Sequence, residues 1–169
     1  MRKAKICLLG AFATGKTSLT RRVVEGLFSE RYLATVGVKI DHHDVDVDSV
    51  PLRLVLWDIN GEDEFIRVHE SYLRGAAACV LVVDGTRAWT LATALDLRQR
   101  ALTALGPVPM MLLLNKADLR SEWELQPQAI SDLGAECPIL QTSAKSSEGV
   151  DAAFLALARR LIASGGGKA

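Results

Sequence analysis

No stretch of this 169-residue chain approaches the roughly 20 consecutive apolar residues of a membrane-spanning helix; its longest apolar runs, 76–83 and 110–114, have the length of buried strands. Neither sign of charge prevails. Twenty Lys and Arg balance twenty Asp and Glu, whereas a dedicated nucleic-acid binder carries a basic excess. Cysteine is scarce: Cys7, Cys79 and Cys137 are far apart and odd in number, which excludes a disulfide framework and a cysteine zinc site and suits a reducing compartment. The amino end, Met1-Arg2-Lys3-Ala4-Lys5, lacks the apolar core of a signal peptide. No C-a-a-X box closes the chain, and Arg2 excludes N-myristoylation, so no lipid anchor is expected by those routes. Repeats, low-complexity tracts and internal linkers are also missing. With 49% hydrophobic and 24% charged residues, the composition is that of a globular domain and excludes intrinsic disorder. These absences predict one monomeric, cytoplasmic domain over residues 1–163, with a disordered glycine-rich tail at 164–169.

What is present alternates between two periodicities. Residues 4–9, 77–83, 109–114 and 138–141 are short apolar runs that read as strands buried on both faces. Residues 38–47 and 52–57 read as a hairpin about the turn signal Asp48-Ser49-Val50-Pro51. Helical spacing marks 16–27, 91–105, 126–133 and 150–162. Buried strands separated by helices imply a mostly parallel sheet covered on both sides, with ligands bound beyond the carboxyl ends of its strands.

The loop after the first strand reads Gly10-Ala11-Phe12-Ala13-Thr14-Gly15-Lys16-Thr17, a match to G-x-x-x-x-G-K-[ST] between a strand and a helix. Such a loop turns successive backbone N–H groups of Ala13, Thr14, Gly15, Lys16, Thr17 and Ser18 toward phosphate oxygens at the positive end of a helix. Lys16 reaches the outer phosphates and the Thr17 hydroxyl can ligate Mg²⁺. At this point ATP and GTP are both open.

Asn115-Lys116-Ala117-Asp118 follows the strand at 109–114. The Asp118 carboxylate can accept from the N1–H and 2-amino groups of guanine, a donor pair that adenine does not offer. In this motif the chain resembles the small GTPases. Two further matches fall in the family's order: Asp58-Ile59-Asn60-Gly61 as D-x-x-G, and Ser143-Ala144-Lys145 as S-A-K. The resemblance covers about residues 5–162. It implies a P-loop GTPase fold of class α/β: a six-stranded, mostly parallel sheet with one antiparallel edge strand and helices on both faces. It also implies that Asp58 holds Mg²⁺ through water, that the Gly61 amide contacts the γ-phosphate, that the Ala144 amide donates to guanine O6, and that Lys116 and Lys145 clamp the base. Residues 28–38 resemble the first switch of Rab-type members, with Thr35 on Mg²⁺ and the γ-phosphate. Phe28 there lies edge-on to guanine or serves the core. Trp57-Asp58 and Thr35-Val36-Gly37-Val38 point to the Rab-like side, and Gly61-Glu62-Asp63-Glu64-Phe65 resembles bacterial Rab-like members.

The resemblance therefore implies a switch that binds GTP or GDP with Mg²⁺, hydrolyses GTP and meets effectors and regulators through residues 28–38 and 58–74. Its candidate catalytic residues are Glu62, Lys16 and Gly61. Glu62 stands where most Ras- and Rab-type enzymes have glutamine. A carboxylate cannot donate to the γ-phosphate, and at ~5 Å from another negative charge it meets about 3 kcal/mol of repulsion at an effective dielectric of ~20. Glu62 is thus expected to point outward at rest, or to act only with a partner, so that intrinsic hydrolysis is slow; the alternative is a nucleotide-bound scaffold with negligible turnover. Phe12 either narrows the approach of a partner's arginine finger or packs on the switches, and Asn60 replaces the family's usual alanine.

The remaining features read as structural. Asp44-Val45-Asp46-Val47-Asp48 has the period of a half-exposed edge strand; it lacks the glycine and closing glutamate of a calcium loop. His42, His43 and His69 read as surface residues, and Trp89 and Trp123 as local packing.

Overall fold

The computed structural model describes residues 1–31, 35–62, 67–134 and 137–166. Its strands are β1 (Arg2–Gly10), β2 (Val38–Val47), β3 (Val50–Ile59), β4 (Ala78–Asp84), β5 (Met110–Asn115) and β6 (Ile139–Gln141). The helices are α1 (Lys16–Glu25), α2 (Trp89–Leu105), α3 (Pro127–Leu133) and α4 (Val150–Ala163), with short 3-10 turns at Glu70–Leu73 and Ala117–Glu122. The strands form one sheet in the order β2-β3-β1-β4-β5-β6. Every neighbouring pair is parallel except β2 with β3. This is the mixed sheet the sequence implies.

Alternation along the central strands divides the core in two. Ile6, Leu8, Val80 and Val82 face α1 and α4, meeting Leu19, Val23, Phe154 and Leu157. Cys7, Leu9, Cys79 and Leu81 face the other way, toward Ala94, Leu97 and Ala101 of α2, with Ile130 and Leu133 of α3 at the margin. All three cysteines are buried and none is in a disulfide. Burial pushes the Cys7 thiol up to about 11 and Cys79 to about 12, so neither is a ready thiolate.

The structure adjusts several expected boundaries. The β2–β3 connection is only Asp48-Ser49, both in the left-handed region at φ 51° and 66°; Val50 and Pro51 already belong to β3. A two-residue turn with positive φ matches the twist of a hairpin, and Asp tolerates that conformation. Helix α1 stops at Glu25 because Gly26, at φ 70°, turns its N–H back onto the Arg22 carbonyl. The expected disorder at 164–166 gives way to a helix end: Ser164, Gly165 and Gly166 donate to carbonyls of Arg160, Ile162 and Leu161. Residues 167–169 lie outside the described residues. On edge strand β2, Asp44 and Asp46 are exposed, with Asp44 in a two-pronged pair to Arg53. His43 is half-buried rather than on the surface, its ring edge-on to Phe154 at 6.3 Å. Among the described residues, no helix is long and apolar enough to cross a membrane.

Candidate functional site

The loop between β1 and α1 is shaped by close approach and by left-handed backbone. A Cβ on Gly10 would lie 2.5 Å from the Val82 carbonyl oxygen. Ala13 and Gly15 take φ 58° and 98°, which curls the chain over the start of α1. Among the described residues no side chain caps α1, and no acid occupies its first turn, so its leading N–H groups are left for the site. Lys16 folds back under the loop, donating to the carbonyls of Gly10 and Ala11 at 3.3 and 3.0 Å. Burial lowers its pKa to about 8; nearby Asp58 acts upward and Arg87 downward.

Above this loop opens a cavity of about 580 Å³. Its walls include Phe12, Ala13, Thr14, Gly15, Lys16, Thr17, Ser18, Phe28, Thr35, Gly61, Asn115, Lys116, Asp118, Ala144 and Lys145. Three expected site residues stand outside that wall: Ser143, Asp58 and Glu62. Phe28 lines the cavity and also packs against the core beneath α1 and α4. Within the two expected partner-facing segments, Tyr32, Leu33 and Ala34, and Asp63, Glu64, Phe65 and Ile66, lie outside the described residues.

One end of the cavity is tied by a closed network. Asn115 is buried; its Nδ2 donates to the Thr14 carbonyl at 2.9 Å, and its Oδ1 accepts from Thr142 at 3.2 Å. Ser143 donates to Asp118 Oδ1 at 2.6 Å, fixing the exposed carboxylate from behind the wall. Arg22 of α1 donates to the carbonyls of Ala144 and Lys145, both at 2.8 Å. Trp123 donates from Nε1 to the Lys116 carbonyl at 2.9 Å, and its indole fills the space above Gly85. Lys116 and Lys145 do not present free ammonium groups. The first pairs with Asp84 at 2.6 Å and the second with Glu30 at 3.0 Å, which leaves their stems to flank a planar ligand. Burial pushes the Asp84 carboxyl up, but hydrogen bonds from Lys116, Thr86 and Arg87 outweigh it and hold the group below its usual range. Arg87 bridges onward to the Phe12 carbonyl at 2.8 Å, joining this end to the phosphate-type loop.

At the other end, Thr17 and Thr35 bring their hydroxyls within 2.5 Å of each other, and both donate toward Asp58 Oδ2, at 2.6 and 3.2 Å. Asp58 Oδ1 is buried with no hydrogen-bond partner among the described residues. Burial raises the Asp58 pKa, while the two hydroxyls and Lys16 act downward. Two hydroxyls and an unsatisfied carboxylate oxygen form the all-oxygen donor set that a hard divalent cation takes. Gly61 approaches the loop so closely that a Cβ would lie 2.5 Å from Phe12 Cα.

Glu62 departs from the outward orientation expected of it. Its backbone is fused to the loop, with Phe12 N–H donating to its carbonyl at 2.7 Å and its own N–H donating to Gly10 at 3.2 Å. Its side chain turns inward, away from the cavity. Oε1 accepts from Arg100 Nη1 at 2.5 Å and from the Val68 N–H at 2.8 Å. A buried carboxylate needs donors, and α2 supplies the guanidinium that satisfies it. Arg22, Asp84, Arg87, Arg100 and Trp123 were not foreseen as site residues. None belongs to a spaced motif; only the strand-end position of Asp84, beside the loop, carried a signal.

A model of the Ras family matches residues 5–163. Among curated proteins, the chain is 33% identical over 167 residues to the Ras-related protein Rab-13 of Canis lupus familiaris, an alignment covering 97% of this chain and 82% of that protein. It is 37% identical to human Rab-37, over 93% of this chain and 72% of the relative. It is 35% identical to human Rab-30, over 94% and 79% respectively.

Proposed function

The chain belongs to the Ras family, and from that premise we propose that its cavity holds GTP or GDP with Mg²⁺ and that the protein turns GTP over slowly when alone. As a Rab-like member it is a guanine-nucleotide-binding switch and a GTPase, acting through effectors and regulators. Asp118 accepts from guanine N1–H and the 2-amino group, the Ala144 amide donates to O6, and the stems of Lys116 and Lys145 cover the ring. The amides of residues 13–18 and the Lys16 ammonium hold the phosphates. Thr17, Thr35 and Asp58 are the residues that would hold Mg²⁺, which supplies charge neutralisation between the outer phosphates when bound. The Gly61 amide meets the γ-phosphate. Loss of that phosphate releases the segments around Thr35 and Gly61, and partners read the change through residues 28–38 and 58–74. Residues 1–163 work as one monomeric GTPase unit in the cytoplasm.

Slow turnover rests on one observation: the Glu62 carboxylate is engaged by Arg100 and Val68 instead of lying where it could orient water. Single-turnover GTP hydrolysis of the wild type and of Glu62→Gln tests it. The glutamine variant, able both to donate and to accept, is expected to be faster by about tenfold or more. An equal or slower rate overturns this account of the chemistry.

A further inference from the structure

We propose that Arg100 is a specificity-determining residue that lets this protein bind the triphosphate form of its nucleotide, by holding the Glu62 carboxylate out of the phosphate end of the cavity. The inference rests on the reading that phosphates lie along residues 13–18. Residue 62 cannot retreat from that end, because two backbone hydrogen bonds fix it to Gly10 and Phe12 while its neighbour Gly61 lines the cavity. Only the direction of the side chain is adjustable. In the folded arrangement it points into a grip with three contacts: Arg100 Nη1 to Glu62 Oε1 at 2.5 Å, Val68 N–H to the same oxygen at 2.8 Å, and Arg100 Nη2 to the Val68 carbonyl at 2.8 Å. One guanidinium thereby neutralises the carboxylate and fixes the backbone that also binds it. Both side chains are largely buried, at 20% and 10% exposure, so solvent screens the pair weakly.

Without Arg100 the carboxylate would keep only the Val68 N–H among its described partners, and Asp96, 3.7 Å from the same guanidinium nitrogen, would lose its counter-charge too. A buried carboxylate without a counter-charge is strongly disfavoured, and because the neighbouring Gly61 lines the cavity, the released side chain turns toward that space. There it meets the extra negative charge of the triphosphate at close range, and that of a diphosphate at longer range. Charge at residue 62 therefore discriminates between the two nucleotides only when Arg100 is missing.

The experiment measures equilibrium affinity for GDP and for a non-hydrolysable GTP analogue, in saturating Mg²⁺, for the wild type, Arg100→Met and Arg100→Met/Glu62→Gln. Arg100→Met is expected to lose roughly tenfold or more in triphosphate affinity relative to diphosphate, and the double variant to regain the wild-type ratio. A general packing defect would weaken both nucleotides alike and would not be rescued by neutralising Glu62. An unchanged ratio in Arg100→Met, or a shifted ratio that persists in the double variant, overturns the proposal. If Arg100→Met does not fold, Arg100→Lys is read in its place. It keeps the charge but loses the two-pronged grip, so a shift of about two- to fivefold in the same direction supports the proposal and no shift overturns it. Should the wild type bind neither nucleotide, or Lys16→Met bind both as well as the wild type, the placement of phosphates itself fails, a result separate from an unchanged ratio.

Discussion

The two ends of the cavity are built on opposite plans. At the Asp118 end every key polar group already has its partner: Asn115 joins two loops, Ser143 orients Asp118, Arg22 carries the 144–145 turn, and Trp123 holds Lys116. At the Asp58 end the groups lean on one another for want of something else. Two threonine hydroxyls crowd one carboxylate oxygen, the other oxygen has no partner among the described residues, and Lys16 is buried on backbone carbonyls. A finished network gives selectivity with little reorganisation, because its ordering has been met in folding. An unfinished one gives a state that changes when its missing charges arrive, which is what a switch requires. On the proposed reading, recognition and response are separated along a single cavity, with Arg87 and Asn115 as the cross-ties.

The contrast can be broken most severely at the finished end. On the proposed placement of guanine, Asp118→Ala would remove two charge-assisted hydrogen bonds to the base and is expected to cost roughly 10²–10⁴-fold in GDP affinity, with ADP binding unaffected. Competition binding of the two nucleotides reads this directly. A parallel loss for ADP would mean that the carboxylate supports the fold rather than the base.

The unfinished end should respond in the opposite sense. Lys16 has a folded pKa of about 8, below its ordinary 10.5. A depressed pKa contributes stability that is present above the unfolded value and is lost as pH falls through the folded one. At pH 7 the charged, buried lysine therefore destabilises the nucleotide-free protein, by an amount on the order of 3 kcal/mol. Lys16→Met is expected to raise the melting temperature of the nucleotide-free protein by roughly 5–10 °C at pH 7, and by much less near pH 10. The same variant should lose phosphate-dependent binding. Melting curves across pH check the first statement; a variant less stable at pH 7 would remove the contrast.

A finer adjustment sharpens it. Trp123→Phe keeps a ring against Gly85 but loses the bond to the Lys116 carbonyl. The loss, about 1 kcal/mol, should speed GDP release about fivefold without altering the hydrolysis rate. Release of a fluorescent GDP analogue measures it.

Much of this arrangement was legible in the sequence, for reasons that also mark where legibility stopped. Strand runs such as 110–115 and the loop 10–17 announce themselves because local periodicity and glycine spacing follow from backbone physics. The cavity residues on those loops came with them. Arg100 and Trp123 were hidden because each acts through a contact between elements distant in sequence. Nothing in the local pattern of α2 distinguishes an arginine that meets Glu62 from one that meets solvent. Glu62 itself was recognisable as a departure, but its inward turn depends on a guanidinium 38 residues later. The turn at Asp48-Ser49 was placed but misjudged in length, since Val50 and Pro51, which read as turn residues, already pair with Val47 and Asp46 of β2.

The cross-ties also set a timetable for synthesis. The Thr14 carbonyl waits for Asn115, 101 residues downstream, and Arg22 waits for Ala144, 122 residues downstream. At translation speeds of about 5–20 residues per second, the loop made first stands without its supports for roughly 6–25 s. A ribosome that stalls before residue 144 would release a chain with a phosphate-type loop but no braced wall for the base. Nucleotide capture therefore draws on residues as far along the chain as 145, not on the loop at 10–17 alone.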